Sequence, residues 1–86
     1  MPNQPLTGRE RAALEAIDMG LVTITPSGDL RKPAGIPRWD IVHCFLDLWA
    51  TARGGPRPRV ELTLLGKYAL DDGIAYRPTQ QHDRPA

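Results

Sequence analysis

The chain has 86 residues, 41% of them hydrophobic, and a formal net charge of +1 at pH 7. That length holds one domain, and a core of this size supplies only about 3–5 kcal/mol, so dimerisation or docking on a partner is a natural remedy. The single cysteine, Cys44, excludes an internal disulfide and fits a reducing compartment. No apolar run approaches the roughly 18 residues of a membrane span and no signal peptide is legible, so the expected location is cytoplasmic.

Both ends are poor in core formers, and residues 1–5 and 74–86 are expected to be flexible around a domain at 6–73. Within it, Thr7 and Glu10 have the spacing of a capping box, in which each side chain satisfies a free backbone donor. Ala13, Leu14 and Ile17 then recur at helical spacing and Gly20 is a left-handed stop, predicting a helix over about 7–19. Leu21-Val22-Thr23-Ile24-Thr25 is short and β-branched, a strand.

The next stretch forks. Ser27-Gly28 suits a hairpin returning through Leu30-Arg31-Lys32; alternatively Thr25 or Ser27 caps a short helix that Pro33 truncates. The hairpin or an irregular turn is favoured. Pro37, apt for a first helical turn, opens the most apolar helix of the chain. One stripe joins Ile41, Phe45 and Leu48, expected to pack on the first helix, and a second joins Trp39, Val42, Leu46 and Trp49. Asp40, His43, Asp47 and Thr51 are left as its polar face. Arg53-Gly54-Gly55-Pro56-Arg57-Pro58-Arg59 reads as a basic loop. Val60-Glu61-Leu62 alternates as a strand, and Thr63 caps a last helix running to about Asp71 with Gly73 as its stop.

Two segments resemble the winged helix-turn-helix superfamily of small bacterial and phage regulators. Residues 25–42 look like the helix-turn-helix, with Leu30 and Ala34 facing the core, Gly35 in the tight turn, and Ile36, Ile41 and Cys44 pinning the second helix. Residues 60–70 follow V-x-L-T-x-x-G-x-x-A-L, similar to the wing strand and capped helix that close many such domains. Pro33 and Arg31 depart from that pattern, since the motif's first helix would hold a proline and a large charge. The resemblance implies an α+β, winged-helix-like fold with three helices and a small antiparallel β element.

It also implies a DNA-associated regulatory protein whose second motif helix enters the major groove and whose wing holds phosphates. The groove face would be Arg38, Trp39, Val42, His43 and Leu46, of which only Arg38 and His43 offer hydrogen bonds to base edges. Charge adds to this, because residues 25–59 carry Arg31, Lys32, Arg38, Arg53, Arg57 and Arg59 against Asp29, Asp40 and Asp47. The expected nucleic-acid contacts are therefore Arg31, Lys32, Arg38, His43, Arg53, Arg57 and Arg59, with duplex DNA as partner. The alternative is a protein-interaction or homodimerisation module, in which Trp39, Val42, Leu46 and Trp49 dock a partner. No enzyme is expected, for no nucleophile–base pair or phosphate-cradling glycine loop is present. Neither a metal, a cofactor nor a small-molecule substrate is expected: His43 and Cys44 adjoin without the further ligands that zinc requires.

Overall fold

The computed structural model describes residues Gln4–Arg77; the expected flexibility of residues 1–3 and 78–86 falls outside the described residues. A two-residue strand β1 (Gln4–Pro5) leads into helix α1 (Gly8–Asp18). The capping box forms as the sequence predicts: Glu10 N–H donates to Thr7 Oγ1 at 3.1 Å and Thr7 N–H to Glu10 Oε1 at 2.9 Å. α1 buries Ala13, Leu14, Ala16 and Ile17. It ends in a reversal in which Gly20 N–H reaches Ile17 O and Leu21 N–H reaches Ala16 O, both at 3.0 Å. Gly20 stands there at φ +76°, the left-handed conformation that this reversal requires.

Strand β2 (Thr23–Ile24) then turns back into β3 (Leu30–Arg31) as an antiparallel hairpin. Thr25 Oγ1 accepts from Asp29 N–H at 3.0 Å, and Gly28 at φ +91° completes the turn. The short helix of the alternative reading is absent from the described residues. Leu30 is half-buried on the core but Ala34 is exposed, contrary to the helix-turn-helix placement, because no helix turns that side chain inward.

Helix α2 (Arg38–Leu46) is shorter than its apolar pattern predicts. Leu48 adopts φ +61°, Leu48 N–H donates to Phe45 O at 3.0 Å and Trp49 N–H to Cys44 O at 2.9 Å. This is the reversal that ends α1, made here with a leucine. The chain leaves as strand β4 (Ala50–Arg53), rounds the basic loop, returns as β5 (Arg59–Leu62), and forms helix α3 (Leu64–Asp72). Thr63 Oγ1 accepts from Gly66 N–H at 3.1 Å, and Gly73 at φ +70° closes the helix. A last strand, β6 (Ile74–Ala75), pairs antiparallel with β1.

Across the described residues the protein is thus α+β, with three helices, a four-stranded antiparallel sheet in the order β3-β2-β5-β4 and a two-stranded β1-β6 ribbon, an arrangement compatible with a winged-helix-like fold. α1 lies against α2, α3 and β5. Leu14, Val22, Ile41, Trp49 and Val60 are the largest side chains of the core between helices and sheet. Among the described residues, no helix is long and apolar enough to cross a membrane.

Two expectations need correction. The ordered domain extends past 6–73: Gln4–Pro5 pairs with Ile74–Ala75, Ala75 is buried, and Tyr76 packs on the core. Residues near the two ends of the described segment thus pair through their backbones. Trp49 is the second correction. The reversal at Leu48 takes it off the α2 stripe and into the core, where it is 1% exposed and its Nε1–H donates to Tyr76 O at 2.6 Å. The same reversal leaves Leu48 56% exposed, so it does not pack on α1, and moves Thr51 into β4.

Candidate nucleic-acid interface

The strand register brings together cations that lie far apart in the chain. Thr23 of β2 pairs with both Arg31 of β3 and Arg59 of β5, and Arg59 pairs with Arg53 of β4. Directly paired residues of an antiparallel sheet project from the same face. Arg31, Thr23, Arg59 and Arg53 therefore form one row across all four strands. Alternation places Ile24, Leu30, Val60 and Leu62 on the opposite, core-facing side, against which α1 packs. The arginine row thus occupies the outer face of the sheet, and all three arginines are exposed.

One carboxylate tempers the row. Glu61 stands two residues from Arg59 and so on the same face; its Oε1 accepts from Arg53 Nε at 3.0 Å and its Oε2 from Arg59 Nε at 2.6 Å. These bonds, Arg53's first and Arg59's second, hold the Glu61 carboxyl below the usual range for glutamate. The three arginines and Glu61 leave a local charge of +2. Exposed pairs of this kind are screened by water and contribute little, so Arg53 and Arg59 remain able to turn to an anion.

Arg57 lies in the β4–β5 loop, exposed, and makes no ion pair among the described residues. With Pro58 and Gly55 it lines one wall of a cleft of about 600 Å³, whose other wall is Thr23 and Ile24 of β2 and Pro26 of the β2–β3 turn. Ile24 N–H donates to Pro58 O at 3.1 Å, which fixes the end of β2 beside the β4–β5 loop. Lys32 follows directly on Arg31 and is half-buried.

Arg38 and His43 do not join this group by register. Arg38 is the first residue of α2, exposed, and His43 lies one turn beyond Trp39, their rings edge to face at 5.1 Å. The outer side of α2 carries Trp39 at 60% and Leu46 at 65% exposure, with Val42 half-buried between them. Its carboxylates are engaged: Arg9 Nη2 holds Asp40 Oδ1 at 2.8 Å, and Arg77 Nη1 holds Asp47 Oδ2 at 2.5 Å. Arg77 also reaches Glu10 at 2.7 Å and lies over the Trp49 ring at 5.2 Å.

Sequence reasoning identifies the arginines but not their alignment, nor Glu61 as their counter-charge. The alternation of Arg59 and Glu61 on one strand is the available signal, whereas Arg31 joins only through the β2 register. Cys44 is a core residue: burial pushes its thiol up to about 12, with Asp47, Asp40 and Glu10 adding to the rise. No cluster of three or more potential metal ligands occurs among the described residues. Compared with protein-family models, with curated proteins and with solved structures, the chain matches none of them.

Proposed function

We propose that this protein is a DNA-associated, winged-helix-like regulatory protein that holds the duplex backbone against the outer face of its sheet and the β4–β5 loop. The observation that carries the reading is the register aligning Arg31, Arg59 and Arg53 across four strands, with Arg57 exposed in the adjoining loop. Guanidinium groups bind phosphate oxygens in bidentate fashion. Neutralising phosphates releases condensed counterions, which makes affinity fall with salt and carry no base preference of its own. Arg38 and His43 on α2 are secondary in this reading, because they lie outside the row.

The test is a fluorescence-anisotropy titration of non-specific duplex DNA across a salt series. Arg31→Ala with Arg57→Ala is expected to weaken binding to all sequences and to lower the logarithmic salt slope by roughly two, about 0.9 for each phosphate no longer neutralised. Glu61→Gln is expected to strengthen binding several-fold, since it removes a negative charge from beside Arg53 and Arg59 that repels phosphate. Absence of binding at low salt, or a slope indifferent to all three changes, overturns the proposal. A second reading, a protein-docking module, is favoured by the exposure of Trp39 and Leu46 on α2. It predicts instead that Leu46→Glu abolishes a protein contact and leaves DNA binding alone.

A further inference from the structure

The four-stranded sheet has two edges, and they are protected unequally. β3 is two residues long and runs directly into Lys32 and Pro33, devices that discourage a further strand from adding. β4 is four residues long, Ala-Thr-Ala-Arg, without proline, lysine or glycine. Its one charge is drawn across the sheet face by Glu61 at 3.0 Å rather than held at the edge. Two exposed leucines, Leu46 and Leu48, lie shortly before it.

The hydrogen-bond alternation fixes which backbone groups of β4 point away from β5. Thr63 N–H donates to Trp49 O at 2.9 Å, so in the β4–β5 ladder the bonded pairs are Thr51 with Glu61 and Arg53 with Arg59. The N–H and C=O of Ala52 consequently point off the edge. Ala52 is exposed, and its side chain lies on the helix-facing side of the sheet beside Val60. It is a small residue where a neighbouring strand can approach.

We propose that β4 pairs antiparallel with β4 of a second copy of this chain across a twofold at Ala52, joining two four-stranded sheets into one of eight strands. The register favours a second copy over a foreign strand. A twofold at Ala52 lets its donor and acceptor meet the same groups of the other copy. It sets each Arg53 opposite a Thr51, so no like charges face each other. Added foreign strands are selected by pockets for alternate side chains. Four clefts of about 260–600 Å³ among the described residues are lined by residues other than Thr51, Ala52 and Arg53.

Ala52→Cys is the direct test, carried out without nucleic acid and therefore independent of the DNA reading. Bonded antiparallel pairs hold Cα atoms about 5.5 Å apart, within disulfide range. The native Cys44 is 2% exposed with its thiol pushed up to about 12, so it gives no background. Mild oxidation is expected to convert Ala52→Cys into a covalent dimer while Arg31→Cys, on the other edge, stays monomeric. Sedimentation is expected to show a wild-type dimer, and a folded monomer for Ala52→Glu, which sets like charges across the axis. Ala52→Pro, which removes the outward N–H and no donor to β5, is expected to act the same way; circular dichroism confirms that either variant is folded. A wild type monomeric at several hundred micromolar, equal cross-linking from both edges, or a dimer lost in Leu46→Glu but kept in Ala52→Glu overturns the proposal.

Discussion

α1 and α2 end in the same backbone reversal, one on a glycine and one on a leucine. Gly20 at φ +76° and Leu48 at φ +61° occupy the same place, and in each the next N–H reaches back five residues into the helix. For a residue with a side chain the left-handed conformation costs roughly 1–2 kcal/mol. The two part company downstream. After Gly20 the chain leads Val22 into the core; after Leu48 it drives Trp49 under Arg77, with the Trp49 carbonyl packed against α3. Tertiary packing therefore imposes at Leu48 a conformation that local chemistry supplies at Gly20. Leu48 O also accepts from Thr63 Oγ1 at 2.5 Å, tying the strained residue to the cap of α3.

The sharpest way to break the α2 terminus is at a distance from it. A Cβ built on Gly66 would collide with Trp49 O, a backbone atom that cannot step aside. Gly66→Ala is expected to cost about 3 kcal/mol or more, of the order of a large core defect, and to leave the protein largely unfolded by urea titration. A merely tolerated change would mean that the Trp49 segment is not seated against α3. Next come the two reversals themselves. Gly20→Ala is expected to destabilise by about 1 kcal/mol, whereas Leu48→Gly is expected to be neutral or to stabilise by up to about 1 kcal/mol, since it removes strain from an exposed position. Opposite signs in parallel denaturation curves are the signature, and equal losses would refute the comparison. The smallest effect is expected at Arg77, which clamps Asp47 at the end of α2 and has no counterpart at α1 among the described residues. Arg77→Ala is expected to cost about 1 kcal/mol or less, fading as salt screens a partly exposed pair.

The same contrast separates what is legible in the sequence from what is not. Thr7, Glu10 and Gly20 delimit α1 because each acts on its immediate neighbours, and Thr63 and Gly73 do the same for α3. The hairpin at 23–31 is favoured through Gly28 and Pro33 on the same local grounds. Nothing local marks the end of α2. Leucine is a good helix former, and the apolar spacing runs on unbroken through Trp49, so the sequence predicts a longer helix and a tryptophan on its outer stripe. The pairing of residues 4–5 with 74–75 is equally silent, being a contact between segments about seventy residues apart. At the site, each arginine is visible as a charge, but a row across four strands is a property of register, which depends on where the turns fall.

Trp49, buried and bonded through its indole to Tyr76, and Trp39, open to water beside His43, give the molecule two optical channels that report on different places. An aqueous quencher such as iodide reaches Trp39 and not Trp49. Emission surviving the quencher therefore follows the seating of the C-terminal strand and Arg77 on the core, while the quenchable part follows whatever approaches the outer side of α2. Loosening of the Tyr76–Arg77 segment and occupation of the helix surface can accordingly be told apart in one cuvette, without a label.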